Sequence, residues 1–212
     1  DKELLFTPII NYGGGVDASQ RFVFDYNQIL SGGKLKTDLT FDSNFENKDN
    51  NKWLSDASLI VNFNKNLNEN YRVGIESALQ TSKNYIQITK PNDDLSYTNS
   101  LSTNFNLEGF NLSKIDDQLN ISLNFYQTNQ ENEDNKIIPT VFPKIKYFSG
   151  YNNKSAYLSN STFEFYNILR EKSTLVHAKQ QQKISHKYNF SKSMISYNSK
   201  ILFDAEIYNQ LY

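Results

Sequence analysis

The stretch Ile137-Ile138-Pro139-Thr140-Val141-Phe142-Pro143-Lys144-Ile145-Lys146-Tyr147 decides how this chain is read. Its β-branched and aromatic residues suit a half-buried pleated surface. Towards its end, Lys144 and Lys146 alternate with Ile145 and Tyr147. Proline has no N–H to give to a ladder, so Pro139 and Pro143 belong at an edge, at a bulge, or where pairing is weak. Both prolines share odd parity with Val141, Ile145 and Tyr147. Read by strict alternation, all five lie on one apolar side, and the sheet has a loosened seam here.

The segments around it repeat the same alternation. Leu35, Thr37, Leu39, Phe41, Ser43 and Phe45 alternate with Lys34, Lys36, Asp38, Thr40, Asp42 and Asn44. Strict period two cannot be a helix face. Leu101 to Leu107, Leu119 to Phe125 and Tyr157 to Leu169 repeat the pattern, while Ser82 to Asp94 breaks it and allows a helical turn at Tyr85, Ile86 and Ile88 closed by Pro91. The last forty residues or so read as two long polar strands, Thr174 to Phe190 and Met194 to Tyr212. Roughly eleven strands result, spaced about 17–20 residues apart, against about 8–12 in soluble sandwiches and barrels.

Aromatic residues make up 14% of the 212 residues, yet mean hydropathy is -0.64. Many rings in a polar chain fit strands with one greasy and one wet face. No apolar run is long enough for a transmembrane helix, but a barrel strand needs only about 9–11 residues. Long strands joined alternately by short turns and longer polar loops match an outer-membrane barrel, with the apolar face to lipid and the polar face to the lumen. A soluble sandwich would bury the apolar face between two sheets. The opening Asp1-Lys2-Glu3-Leu4 lacks the features of a secretory leader, so a mature or internal stretch is expected.

Catalytic signals are weak. Gly13-Gly14-Gly15 lacks the lysine and spacing of a phosphate loop. His177 and His186, read on one strand, are roughly 30 Å apart at about 3.3 Å per residue, too far to share a metal. Asp93-Asp94 and Asp116-Asp117 suit turns. Lys179, Lys183, Lys187 and Lys192 are interleaved with Tyr188 and Phe190, but a net charge of -1 argues against nucleic acid. With 0 cysteines there is no disulfide frame and no thiol nucleophile. No enzyme, cofactor or metal site is expected.

The chain resembles the barrel domain of the lipopolysaccharide-assembly protein LptD, also called organic solvent tolerance protein. The nearest likeness is Ile138-Pro139-Thr140-Val141-Phe142-Pro143-Lys144-Ile145-Lys146-Tyr147, similar to the family's "lPxvlPxIxY" strand. Ser82-Lys83-Asn84-Tyr85-Ile86-Gln87 through Leu95-Ser96-Tyr97-Thr98-Asn99-Ser100 is similar to a family segment where a strand leads into an irregular stretch and back. Leu4-Leu5-Phe6-Thr7-Pro8, Arg170 and Phe203-Asp204-Ala205-Glu206-Ile207-Tyr208 add looser likenesses. Ser173 stands where the family has Gly, and the second downstream Arg is absent or replaced by Lys179. The four cysteines of some members are missing, so their disulfide-controlled maturation does not carry over.

The resemblance implies an all-β fold: residues 1–212 as an incomplete portion of a larger antiparallel transmembrane β-barrel. It implies transport, the insertion of lipopolysaccharide into the outer leaflet of the Gram-negative outer membrane. The implied partners are lipopolysaccharide, outer-membrane lipid, an LptE-like lipoprotein in the lumen, and an LptA-like periplasmic bridge joined through an N-terminal domain outside this stretch. Lys34, Lys36, Lys144, Lys146 and Lys200 have polar-face parity and are expected to line the lumen, facing the phosphates of the ligand. Another outer-membrane barrel, a porin or receptor, is the alternative. A soluble β-sandwich binding module is a third reading.

Overall fold

A computed structural model describes residues 1–11, 19–44, 54–130, 133–152, 158–174, 177–196 and 199–211. Eleven strands form one sheet in which each pairs with its neighbours in sequence. They are β1 (Lys2–Asn11), β2 (Ser19–Leu30), β3 (Gly33–Asn44), β4 (Leu54–Asn66), β5 (Tyr71–Gln80) and β6 (Ser100–Phe110). β7 (Gln118–Thr128), β8 (Thr140–Asn152), β9 (Leu158–Leu169), β10 (Gln180–Ser196) and β11 (Ser199–Leu211) complete it. Among the described residues the ladders run from β1 to β11 in sequence order. Connections 31–32, 67–70, 111–117, 153–157 and 197–198, of two to seven residues, alternate with 12–18, 45–53, 81–99, 129–139 and 170–179, of seven to nineteen. Gly13-Gly14-Gly15 and Trp53 lie outside the described residues.

The alternation in sequence becomes two chemically distinct faces because paired residues share a face. Phe6 pairs with Phe24 and Pro8 with Phe22; Phe22 pairs with Phe41 and Phe24 with Leu39. Their rings form a continuous group, with Phe6 4.7 Å from Phe24 and Phe22 5.2 Å from Phe41. Such contacts contribute about 0.5–1.5 kcal/mol per pair beyond burial. Here they lie on an open face: Phe6 remains 48% exposed and Leu4 66%. The opposite face of the same strands carries Arg21, Asp25, Asn27, Lys34, Lys36, Asp38 and Asp42.

The double-proline strand departs from the alternation reading in two places. Pro139 is not in the strand: a 3-10 turn at Asn135–Ile137 comes first, and β8 begins at Thr140. A residue without an N–H is accommodated there without loss to the ladder. Pro143 is inside β8, following a cis Phe142–Pro143 bond. Both neighbours skip this position. On β7, Ser122 pairs with Lys144 and Asn124 with Val141; on β9, Tyr166 pairs with Lys144 and Ile168 with Val141. Two β8 residues stand against one on each side, which is a β-bulge.

The bulge inverts parity. Val141 shares the face of Lys144 and Lys146, not that of Ile145 and Tyr147 as strict alternation predicts. Asn167 Nδ2 donates to the Phe142 carbonyl at 2.6 Å, so a neighbouring side chain replaces part of the interrupted ladder. The Asn167→Ala variant should lose about 1 kcal/mol, the typical net value of such a bond. Its midpoint in a urea titration of the folded chain would show this, and an unchanged midpoint would remove Asn167 as the support of the bulge.

The chain divides into two compact units, each described separately. The first holds 1–65, 74–104 and 125–138; the second holds 66–73, 105–124 and 139–212. In the first unit, Ala78, Ile86 and Leu101 form a small buried cluster, with Ile60 and Leu95 packed against it. It forms where the β5–β6 connection folds back on the sheet. In the second unit Asp117 is fully buried at the β6–β7 turn, where the Gly150 N–H of β8 meets it. Among the described residues no helix is long and apolar enough to cross a membrane.

Candidate functional site

The polar face of the second unit holds Lys144 and Lys146 of β8 beside Glu164 and Tyr166 of β9, and Lys183 and Lys187 of β10 beyond them. Period two puts these residues on one face, and the bulge restores that face for Val141 on its far side. The Lys146 Nζ lies 3.4 Å from Glu164. The Lys187 Nζ lies 2.9 Å from Glu206 of β11. Lys144 sits over the Tyr166 ring at 5.3 Å, a cation–π contact, and the Tyr166 hydroxyl donates to Glu164 at 3.2 Å. A groove of about 310 Å³ runs between Lys146, Glu164, Ser185, Lys187 and Tyr208. Exposed pairs of this kind contribute about 0–1 kcal/mol each, so the lysines remain available to an anion that competes with the carboxylates.

The polar face of the first unit is more elaborate. Arg21 Nε donates to Asp42 Oδ1 at 2.7 Å and its Nη2 to Oδ2 at 3.0 Å, a two-point pair across β2 and β3. The ring of Tyr85, from the β5–β6 connection, lies 6.0 Å from the Arg21 guanidinium. Burial, with Asp42 nearby, pushes the Tyr85 hydroxyl above its ordinary value. Lys34 and Lys36 lie exposed on this face, Lys34 between Ile29 and Asn64 and Lys36 between Asn27 and Asn62.

Four of the five lysines expected on the polar side are therefore found there, divided between the units: Lys34 and Lys36 in the first, Lys144 and Lys146 in the second. For Lys200 only the backbone is described, paired with Ile195; its side chain lies outside the described residues. The histidines differ from expectation. β10 begins at Gln180, so His177 lies in the preceding connection, where its N–H donates to Thr174 Oγ1 at 2.9 Å. His186 pairs with Phe163 on the apolar face. The basic group splits as well: Lys183 and Lys187 are on the polar face, Lys192 pairs with Phe203 on the other, and Lys179 precedes the strand.

Arg21, Asp42, Glu164 and Glu206 all lie on polar faces, but alternation along a strand gives no sign of their pairings. Each pairing depends on the register between strands, which a single strand does not encode. Among the described residues no cluster of three or more His, Asp or Glu side chains could hold a metal.

Comparison with models of known protein families finds none that matches this chain. No curated protein matches it either.

Proposed function

We propose that this chain is part of the wall of an outer-membrane β-barrel of the LptD kind, which inserts lipopolysaccharide into the outer leaflet. The observation that carries the reading is the inversion of a soluble sheet. Apolar side chains are exposed along the strands, with Phe203 54% and Ile207 59% exposed, while the ion pairs lie on the opposite face. In the first unit, Leu4, Phe6 and Ile10 are exposed in the same way, opposite the Arg21–Asp42 pair. Strand faces that expose large apolar side chains in this way suit a non-aqueous neighbour, and lipid is one. Short and long connections in alternation agree with periplasmic turns and extracellular loops.

The transport reading rests on the resemblance of the double-proline strand and on the cationic polar faces. Lysines 144, 146, 183 and 187 would meet sugar phosphates through charge-assisted hydrogen bonds. An LptE-like lipoprotein would occupy the lumen, and an LptA-like bridge would deliver the ligand from the periplasm. No bond is made or broken, so no catalytic residue is required.

Photo-crosslinking amino acids at Lys34, Lys36, Lys144 and Lys146 of the full-length protein in Gram-negative cells test this. Capture of lipopolysaccharide at these sites is expected. Capture of phospholipid alone, or recovery of the protein in the soluble fraction, would overturn it. Outer-membrane recovery with no lipopolysaccharide captured would leave a porin or receptor as the better reading.

A further inference from the structure

The polar face of β8 to β11 is unevenly charged along its length. Ladder pairing sets its side chains in rows, with successive rows about 6.6 Å apart, two residues along a strand. At the end where β10 turns into β11, Ser191 is opposite Asp204 and Asn189 is opposite Glu206. Lys187 offsets Glu206, whereas Asp204 has no ion-pair partner among the described residues. Further along, Lys146 and Glu164 offset one another.

Towards the β9–β10 connection the sign changes. Lys144 and Lys183 flank Tyr166, one on each side. The next row is Val141, Ile168 and Gln181. Arg170 follows, and its Nη1 donates to Gln181 Oε1 at 2.8 Å, which puts the guanidinium on this same face. On the β7 side, Lys144 is opposite Ser122 and Val141 opposite Asn124, both neutral. Among the described residues Lys144, Lys183 and Arg170 have no carboxylate in ion-pair reach. The face is sheltered as well. On β10 Lys183 and Lys187 are half-buried and Ser185 is buried, while Ile184, His186 and Tyr188 between them are exposed. Charge of one sign on a sheltered surface with apolar walls focuses its field. Val141, Ile168 and the Tyr166 ring supply such walls.

We propose that Lys144, Lys183 and Arg170 form an anion basin around Ile168, the positive end of a charge ramp that rises along this face from Asp204. Its occupant is a phosphate group, whose oxygens accept from ammonium and guanidinium donors together. That the phosphate is borne by a lipid-linked sugar rests on the barrel reading above; the ramp rests only on the register of the strands. On that reading the ramp biases the phosphate away from the β10–β11 turn and towards the β9–β10 connection.

Charge-sensing thiols in the full-length protein in detergent test this. Ile168→Cys puts a thiol in the basin, and Ser191→Cys, a change of little volume, puts one beside Asp204. Each is treated with an anionic and with a cationic methanethiosulfonate. Mass spectrometry of the peptide that carries the thiol gives the rate, so cysteines elsewhere in the protein do not enter. The ratio of the two rates cancels differences in exposure and thiol ionisation and leaves the local charge. It should favour the anionic reagent about tenfold more at the first site than at the second, as surface potentials of this size allow. Lys183→Gln with Arg170→Gln should remove most of the difference. Inorganic phosphate should slow labelling at the first site only. Val141→Cys gives a second thiol in the same row if Ile168→Cys folds poorly. Equal ratios at the two ends, a difference that survives the double substitution, or no protection by phosphate would overturn the proposal. Protection by inorganic phosphate but not by lipopolysaccharide would uphold the basin and count against the lipid-borne source. Recovery of the protein in the soluble fraction would sink the barrel reading and leave these ratios unchanged.

Discussion

The Gly150→Ala variant should fail to fold, or lose more than about 3 kcal/mol, a loss in the range where steric overlap in a packed site dominates. A Cβ built on Gly150 would lie 2.0 Å from the Ile115 carbonyl oxygen and 2.9 Å from the Asp117 nitrogen. Both obstacles are backbone, so no side chain can turn aside. The only relief is to move the β6–β7 turn, and that turn is already fixed by its own hydrogen bonds. Asn111 and Asp116 hold positive φ, 51° and 68°, and the Asp116 N–H donates to Asn111 Oδ1 at 2.8 Å. The Gly150 N–H also donates to Asp117 at 2.5 Å, so displacing β8 breaks that bond too. Yield of the folded form on refolding into detergent measures the effect. A wild-type yield and urea midpoint would show that the turn yields easily.

Asp117 should be nearly as costly to remove. Its buried carboxylate accepts from the Ser113 hydroxyl at 2.6 Å, the Ser113 and Lys114 N–H groups at 3.3 and 2.9 Å, the Tyr147 hydroxyl at 3.2 Å and the Gly150 N–H. Asp117→Ala strands the Gly150 N–H, whose bond is buried, and the half-buried Tyr147 hydroxyl, while the donors of exposed Ser113 and Lys114 turn to water. Each stranded donor costs about 1–3 kcal/mol, and since the losses are not additive a total of about 3 kcal/mol is expected.

Burial alone would raise the Asp117 carboxyl. The bonds from Ser113, Gly150, Lys114 and Tyr147 outweigh it and hold the group at about 2, against an ordinary 3.8. The folded form is thus the one that favours the ionised acid. Its contribution is fully present above the ordinary value and is lost as pH falls through about 2. The urea midpoint of the native chain should fall between about pH 4 and 2, and Asp117→Asn should flatten that fall by removing the titration. An equal acid dependence in both proteins would assign the fall to other carboxylates.

This turn shows where sequence reading stops. The aspartate pair Asp116-Asp117 reads as turn chemistry, and both residues are in the turn. That one of them would be buried and hold β8 is not a local property. It requires Gly150, thirty-three positions away, to come within bonding distance. The same limit separates the polar faces from their pairings. Lys146 and Glu164 each have polar parity in sequence, but only the β8–β9 register sets them opposite one another.

The presence of the strands, their alternation and the break at Ser82 to Asp94 were legible in the sequence alone, because alternation and turn chemistry act within a few residues, whereas the strand read over Thr174 to Phe190 runs from Gln180 to Ser196. The tertiary structure decided the rest. It put Pro139 ahead of β8 and Pro143 in a bulge, and so reversed the face of Val141, because parity is kept only while the ladder is unbroken. It also set Lys90 against Asp38, fifty-two positions apart in sequence. Contacts of that range depend on strand order and register together, which no single strand specifies.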